Sequence, residues 1–116
     1  MDHINIIYRN HFGIAFYWKD VIEKPTLTAQ IIFRDMGFYL SLDELKSFSY
    51  QVVEGLSQRH CDNCTNKGDC RSLLLKTPSA KIDLAISRNE LLDLQDLLDN
   101  VIIRMETKKY MSFALN

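Results

Sequence analysis

Apolar and polar positions alternate through the first forty residues and then give way to helical spacing. Ile4, Ile6 and Tyr8 alternate with Asn5 and Ile7, which predicts a strand with those three side chains on one side. After the turn chemistry of Arg9, Asn10, His11 and Phe12, residues 13–18 alternate again. Ile14, Phe16 and Trp18 share one face there, and Ala15 and Tyr17 the other. Two such runs across a short Asn-containing connection predict a hairpin. Residues 19–25 are polar and end in Pro25, a loop pattern. Leu27, Ala29, Ile31 and Phe33 then alternate with Thr28, Gln30 and Ile32. Asp35-Met36-Gly37 is the expected turn, with Gly37 free to take positive φ. Phe38-Tyr39-Leu40 returns as a short strand.

Ser41 opens a helix. Ser41 followed three residues later by Glu44 is a capping box, in which side chains satisfy the open amides of the first turn. Leu42, Leu45, Phe48, Val52, Val53 and Leu56 fall in one broad stripe at 100° per residue. The second half has the same order. Residues 72–76 read as a strand, Thr77-Pro78-Ser79-Ala80 as a turn, and Ile82, Leu84 and Ile86 as a return strand. Ser87 and Glu90 then form a second capping box. At an offset of 46 residues, Leu45, Phe48, Val52 and Leu56 fall on Leu91, Leu94, Leu98 and Ile102. The coincidence of cap, preceding strand and stripe phase suggests two copies of a β-β-α unit.

The expected architecture is a single α+β domain over residues 1–116. It has an antiparallel sheet of about six strands with two helices on one face. Its parts are an N-terminal hairpin (1–19), repeat one (26–58), a Cys-rich connector (59–71), repeat two (72–105) and a C-terminal tail (106–116). Ile7, Tyr17, Ile32, Tyr39 and Leu74 put apolar side chains on a second sheet face that one helical layer leaves uncovered. In the tail, Met111, Phe113 and Leu115 alternate with Ser112 and Ala114. That spacing predicts a strand docked on a sheet edge or on the open face. Docking across a two-fold would make a homodimer.

Composition narrows the function classes. With 47% hydrophobic and 25% charged residues in 116, the chain is ordinary globular material rather than a disordered one. Fourteen Lys and Arg against 15 Asp and Glu give a net charge of −1. A nonspecific nucleic-acid binder needs an excess of base to neutralise phosphates, so no nucleic-acid partner is expected. No apolar run is long enough for a membrane span, and the first residues lack a secretory pattern. The expected home is the cytoplasm, and the expected partner another protein or a second copy of the chain.

The connector carries the most distinctive chemistry. His60-Cys61 is followed by Cys64 and Cys70, the pattern His-Cys-x2-Cys-x5-Cys. A Cys-x2-Cys turn sets two thiolates at the bite of a tetrahedral zinc ion. Asn63, Asn66 and Gly68 let the chain double back to deliver Cys70. Cys61, Cys64, Cys70 and His60 are therefore the candidate ligands of a structural zinc, and zinc is the candidate cofactor. The rival readings are a redox or metal sensor built on Cys61 and Cys64, an iron–sulfur cluster with a non-Cys ligand, and a loop of unpartnered cysteines.

Catalytic signatures are absent from the chain. No Gly-x-Ser-x-Gly occurs, and Gly13, Gly37, Gly55 and Gly68 are isolated, so no phosphate loop can form. His3 and His11 read as turn or surface residues. Glu90, Asp93, Asp96 and Asp99 read as a solvated acidic flank of the second helix, with Leu92 and Ile103 as an apolar pair on the same side. An enzyme is the least favoured class. The expected function is that of a small protein with a zinc-stabilised loop, working through protein contacts.

Overall fold

The computed structural model describes residues 3–19, 28–58 and 68–114. Within them the chain runs β1 (Ile4–Arg9), β2 (Gly13–Trp18), β3 (Thr28–Phe33), β4 (Met36–Ser41), α1 (Leu42–Leu56), β5 (Leu73–Lys76), β6 (Asp83–Ile86) and α2 (Arg88–Ala114). The α+β class is as expected, but the strands do not join into one sheet. Strands β1-β2-β3-β4 form a four-stranded antiparallel sheet in that order, and β5-β6 form a separate hairpin. The hairpin's outward backbone groups are occupied by side chains instead of a neighbouring strand. The Gln58 amide both donates to the Leu74 carbonyl (2.6 Å) and accepts from its N–H (3.2 Å). Arg34 donates to the carbonyl of Ala85 at 2.8 Å.

Register decides which face each strand residue takes. Cross-strand partners share a face, and Ala15 opposes Ile31 while Ile14 opposes Ile32. Ala15, Ala29, Ile31, Phe33 and Leu40 lie buried under the helices. In β1 the register slips between Ile6 and Tyr8. The slip is a β-bulge, which changes the parity of a strand. Tyr8 therefore opposes Ala15 on the helix side, whereas Ile6 opposes Phe16 on the other side, against the expectation that Ile4, Ile6 and Tyr8 stay together. The β3–β4 turn also differs from expectation. It is made by Arg34-Asp35, with Arg34 at φ 49°, and Gly37 sits inside β4 without positive φ. Met36 pairs with Phe33, which extends β4 by two residues toward its start.

Both helices begin as expected. At α1 the Ser41 hydroxyl accepts from the Glu44 amide (3.2 Å) and Glu44 accepts from the Ser41 amide (3.0 Å). At α2 the same pair of bonds links Ser87 and Glu90, at 3.1 and 3.0 Å. Leu45, Phe48 and Val52 of α1 meet Leu91, Leu94, Leu97, Leu98, Val101 and Met105 of α2 in one core with the sheet and with Leu73, Leu75, Leu84 and Ile86 of the hairpin. Phe12, Phe33, Phe38 and Phe48 form a chain of ring contacts, with centroids 5.5–6.2 Å apart.

Helix α2 does not stop near residue 105. It continues to Ala114, so residues 106–114 of the segment read as a strand-like tail are helical. Alternation over five residues is a weak signal beside the cooperativity of a helix already formed. Element order does repeat as β-β-α, but duplication is not thereby shown. The hairpins differ in length (six-residue strands against four) and lie in separate sheets, and the helices span 15 and 27 residues.

Candidate functional site

The outer face of the four-stranded sheet leaves a group of apolar side chains exposed. By register it carries Ile4 and Ile6 of β1, Ile14, Phe16 and Trp18 of β2, Ile32 of β3 and Tyr39 of β4, with the uncharged Thr28, Gln30, Gly37 and Ser41 beside them. Ile6, Trp18, Ile32 and Tyr39 keep 48, 40, 39 and 48% of their surface exposed. Trp18 lies edge-on against Phe16, centroids 5.0 Å apart, and its indole N–H donates to Gln30 Oε1 at 3.2 Å. That contact shields Phe16, which is buried although it faces outward. Among the described strand residues, the face holds one charged side chain, Arg9, at the β1 end.

Of the residues expected on this face, Ile32 and Tyr39 are there. Leu74 is exposed on the separate hairpin, and Ile7 and Tyr17 pack against the core instead. The parity of Ile14, Phe16 and Trp18 with Ile32 across the β2–β3 pairing was the signal that could have located the whole face.

The acidic positions of α2 are anchors, not idle solvated charge. A three-residue spacing falls about 60° short of a full turn at each step, so Glu90, Asp93, Asp96 and Asp99 wind halfway round the helix and meet different elements. Glu90 receives two bonds from Arg71, both 3.0 Å, and faces Arg34 Nε at 3.9 Å. Burial pushes the Glu90 carboxyl up, but the bonds from Arg71 and the Ser87 amide outweigh it and hold the pKa below its ordinary value. Asp93 meets His11 Nε2 at 2.9 Å. Asp96 accepts from Asn10 (2.9 Å) and from the Tyr8 hydroxyl (2.8 Å), and its pKa is lowered by those two bonds in that order. The bond to Asp96 is also the main cause that raises Tyr8. Asp99 accepts from Ser49 of α1 at 2.9 Å.

Asn10 adds a turn of its own, its Oδ1 accepting from the amides of Phe12 and Gly13. These bonds pin the β1–β2 turn to α2, which gives His11 a structural role. His3 contributes its carbonyl to the Lys19 amide. On the same inner side, the Tyr17 hydroxyl is buried without a hydrogen-bond partner among the described residues, and burial raises its pKa. The Lys108 ammonium lies 4.2 Å from the centre of its ring.

The functional reading built on a zinc-holding loop is corrected. Among the described residues no group of three His, Cys, Asp or Glu is placed to hold a metal ion. Cys70 is disulfide-bonded, and a sulfur in a disulfide has no thiolate to offer zinc. His60, Cys61 and Cys64 lie outside the described residues, as does the alternative Cys61–Cys64 pair. Around Cys70, the Asn89 amide donates to the Gly68 carbonyl (2.9 Å), and the Asn89 side chain donates to Asp69 (2.8 Å), so the end of the connector lies on the first turn of α2.

Among the described residues, no helix is long and apolar enough to cross a membrane. In comparison with known proteins, no family model matches the chain, and no curated protein or solved structure is significantly similar to it.

Proposed function

We propose that the protein works as a self-associating interaction module, in which the outer face of β1–β4 packs on the same face of a second copy. The observation that carries this reading is the apolar, nearly uncharged character of a face made by four adjacent strands. A surface with one charge selects poorly for a charged partner, and it is complementary to itself about a two-fold axis. Two sheets stack face to face through such side chains at a separation of about 10 Å. Strand spacing and rise give the face a footprint of about 400 Å², the size of functional apolar patches on monomers. Two such faces bury about 800 Å² in total, below the ~1,200 Å² at which stable interfaces begin, so the dimer expected is a weak one in exchange with monomer.

The test is light scattering across a concentration series on the wild type and on Ile32→Lys. The wild type should move toward twice the chain mass as concentration rises. Ile32→Lys should stay monomeric with an unchanged circular dichroism spectrum. A wild type that remains monomeric throughout, or a variant that dimerises equally well, removes the proposal.

A further inference from the structure

The fold uses the two flanks of α1 differently. Ser49 and Lys46 mark the flank that faces α2, where they meet Asp99 and Glu106. Glu44, Ser47 and Gln51 recur at intervals of three and four residues, which stacks them on the opposite flank. That flank faces the end of β5. The Gln58 amide, two turns after Gln51, is bonded to the backbone of Leu74, so β5 leaves that point running back along α1. Lys76, Thr77 and Pro78 come to lie beside the earlier turns of the helix. Between them and the stacked side chains is a cavity of about 230 Å³. The buried Phe48 and Pro78 give it two apolar surfaces.

The polar groups at this cavity are not used up by the fold. Glu44 Oε1 accepts from the Ser41 amide, and among the described residues nothing bonds Oε2. Among the same residues Lys76 has no ion partner, and the side chains of Ser47 and Gln51 make no hydrogen bond. Thr77 differs, because its hydroxyl is committed to the Ile82 carbonyl at 2.6 Å within the hairpin turn. A carboxylate and an ammonium thus line one cavity without pairing. Elsewhere charged side chains on neighbouring elements do pair, as Lys46 with Glu106 (2.8 Å) and Arg71 with Glu90 (3.0 Å). The two charges also sit at different levels. Glu44 lies in the first turn of α1 and Gln51 two turns on, a rise of about 10 Å. The run of β5 puts Lys76 toward the Gln51 end and Pro78 toward the Glu44 end.

We infer that this cavity binds a short zwitterion of dipeptide length, its ammonium toward Glu44 and Ser47 and its carboxylate toward Lys76 and Gln51. A simple anion on Lys76 would stand beside the Glu44 carboxylate, and a simple cation on Glu44 beside the Lys76 ammonium. A molecule that carries both charges meets neither repulsion and supplies the bonds that Ser47 and Gln51 lack. Fully extended, two residues span about 7 Å, which with the reach of the two charged side chains covers the distance between the ends. A single amino acid sets its charges too close together to meet both. The cavity is smaller than the ~300–1,000 Å³ of ordinary ligand pockets, so the two residues are small, and their side chains lie on Phe48 and Pro78. The site shares no residue with the outer face of the sheet.

The probe is L-alanyl-L-alanine, titrated into the full chain and followed by NMR. Shifts should saturate and centre on Ser47, Gln51 and Lys76. N-acetylation of the probe, amidation of its C-terminus and its replacement by alanine should each weaken binding at least tenfold. Glu44→Gln keeps the capping box, which accepts either residue, and Lys76→Gln changes an exposed side chain. Both variants should keep the thermal midpoint and bind the dipeptide at least tenfold more weakly. Combination reads the pairing: N-acetylation should cost Glu44→Gln nothing further, and amidation should cost Lys76→Gln nothing further. Ile32→Lys should bind as the wild type does, which separates this site from the proposed dimer face. The absence of a saturable shift overturns the inference, as does undiminished binding by either variant. Loss on amidation without loss on acetylation also overturns it, because the cavity then takes a simple anion. Alanine that binds as tightly as the dipeptide overturns it on length.

Discussion

The two capping boxes use the same Ser and Glu, yet they do different work. At α1, Ser41 and Glu44 satisfy each other, and Glu44 stands exposed. At α2, Ser87 is buried, and Glu90 also holds Arg71 through two bonds with Arg34 close by. The first box starts a helix. The second starts a helix and fastens the end of the connector and the β3–β4 turn to it. A local motif therefore states where a helix begins, while its energetic weight depends on what the fold brings to it.

The largest effect should come from the core positions that correspond between the two units. Phe48 and Leu94 are both buried in the shared core. Phe48→Ala should cost about 3–5 kcal/mol and Leu94→Ala about 2–5 kcal/mol, read from urea unfolding. A loss under about 1 kcal/mol at Phe48 would show that its ring contacts are not packed as described. Next comes the contrast between the caps. Glu90→Ala should cost about 2–3 kcal/mol, because charge-assisted bonds to Arg71 are lost with the cap. Glu44→Ala should cost about 0.5–1 kcal/mol. Equal costs would break the comparison. Ser41→Ala and Ser87→Ala should each cost about 0.5–2 kcal/mol, with buried Ser87 the larger.

Acid sharpens the same contrast. The folded-state pKa of Glu90 is held below its ordinary 4.5, so the stability it contributes is present above about pH 4.5 and is lost as pH falls through the lowered value. Asp96, lowered from 3.8, adds to the loss in the same direction. Urea midpoints should therefore drop between pH 6 and pH 3, and Arg71→Ala should reduce that drop. An acid dependence unaffected by Arg71→Ala would place the sensitivity elsewhere.

The smallest effect concerns the end of α2. Met105 is the last buried residue described there, and Lys109, Tyr110 and Met111 are exposed. Truncation after Lys108 should shift the midpoint by no more than about 0.5 kcal/mol. A larger loss would mean that the final turns support the core.

Much of the candidate surface was legible along the chain. Ile32 and Tyr39, on strands whose other faces were already apolar, announced a second apolar face, but in β2 the sequence reading gave that face Tyr17 where the structure gives it Ile14, Phe16 and Trp18. Ile7 and Tyr17 were misplaced. In β1 the cause is the bulge, because one extra residue reverses parity and nothing local marks it. For Tyr17, its own strand phase already set it beside Ala15, on the side that the helices cover. The acidic row was legible as a row but not as a set of anchors, since its partners lie 19 to 88 residues away in sequence.

The sequence by itself determined the strands, both helix starts, both caps and the core stripes apart from Val53, which is exposed, because each depends on contacts within a few residues or on a period. Only the tertiary structure decided that the strands split into two sheets. Side-chain amides and guanidinium groups occupy the hairpin's edges, and such long-range bonds leave no periodic trace. It also decided that α2 continues through the segment whose spacing resembled a strand. It placed β4 at an edge of its sheet, a property of neighbours that no window along the chain contains.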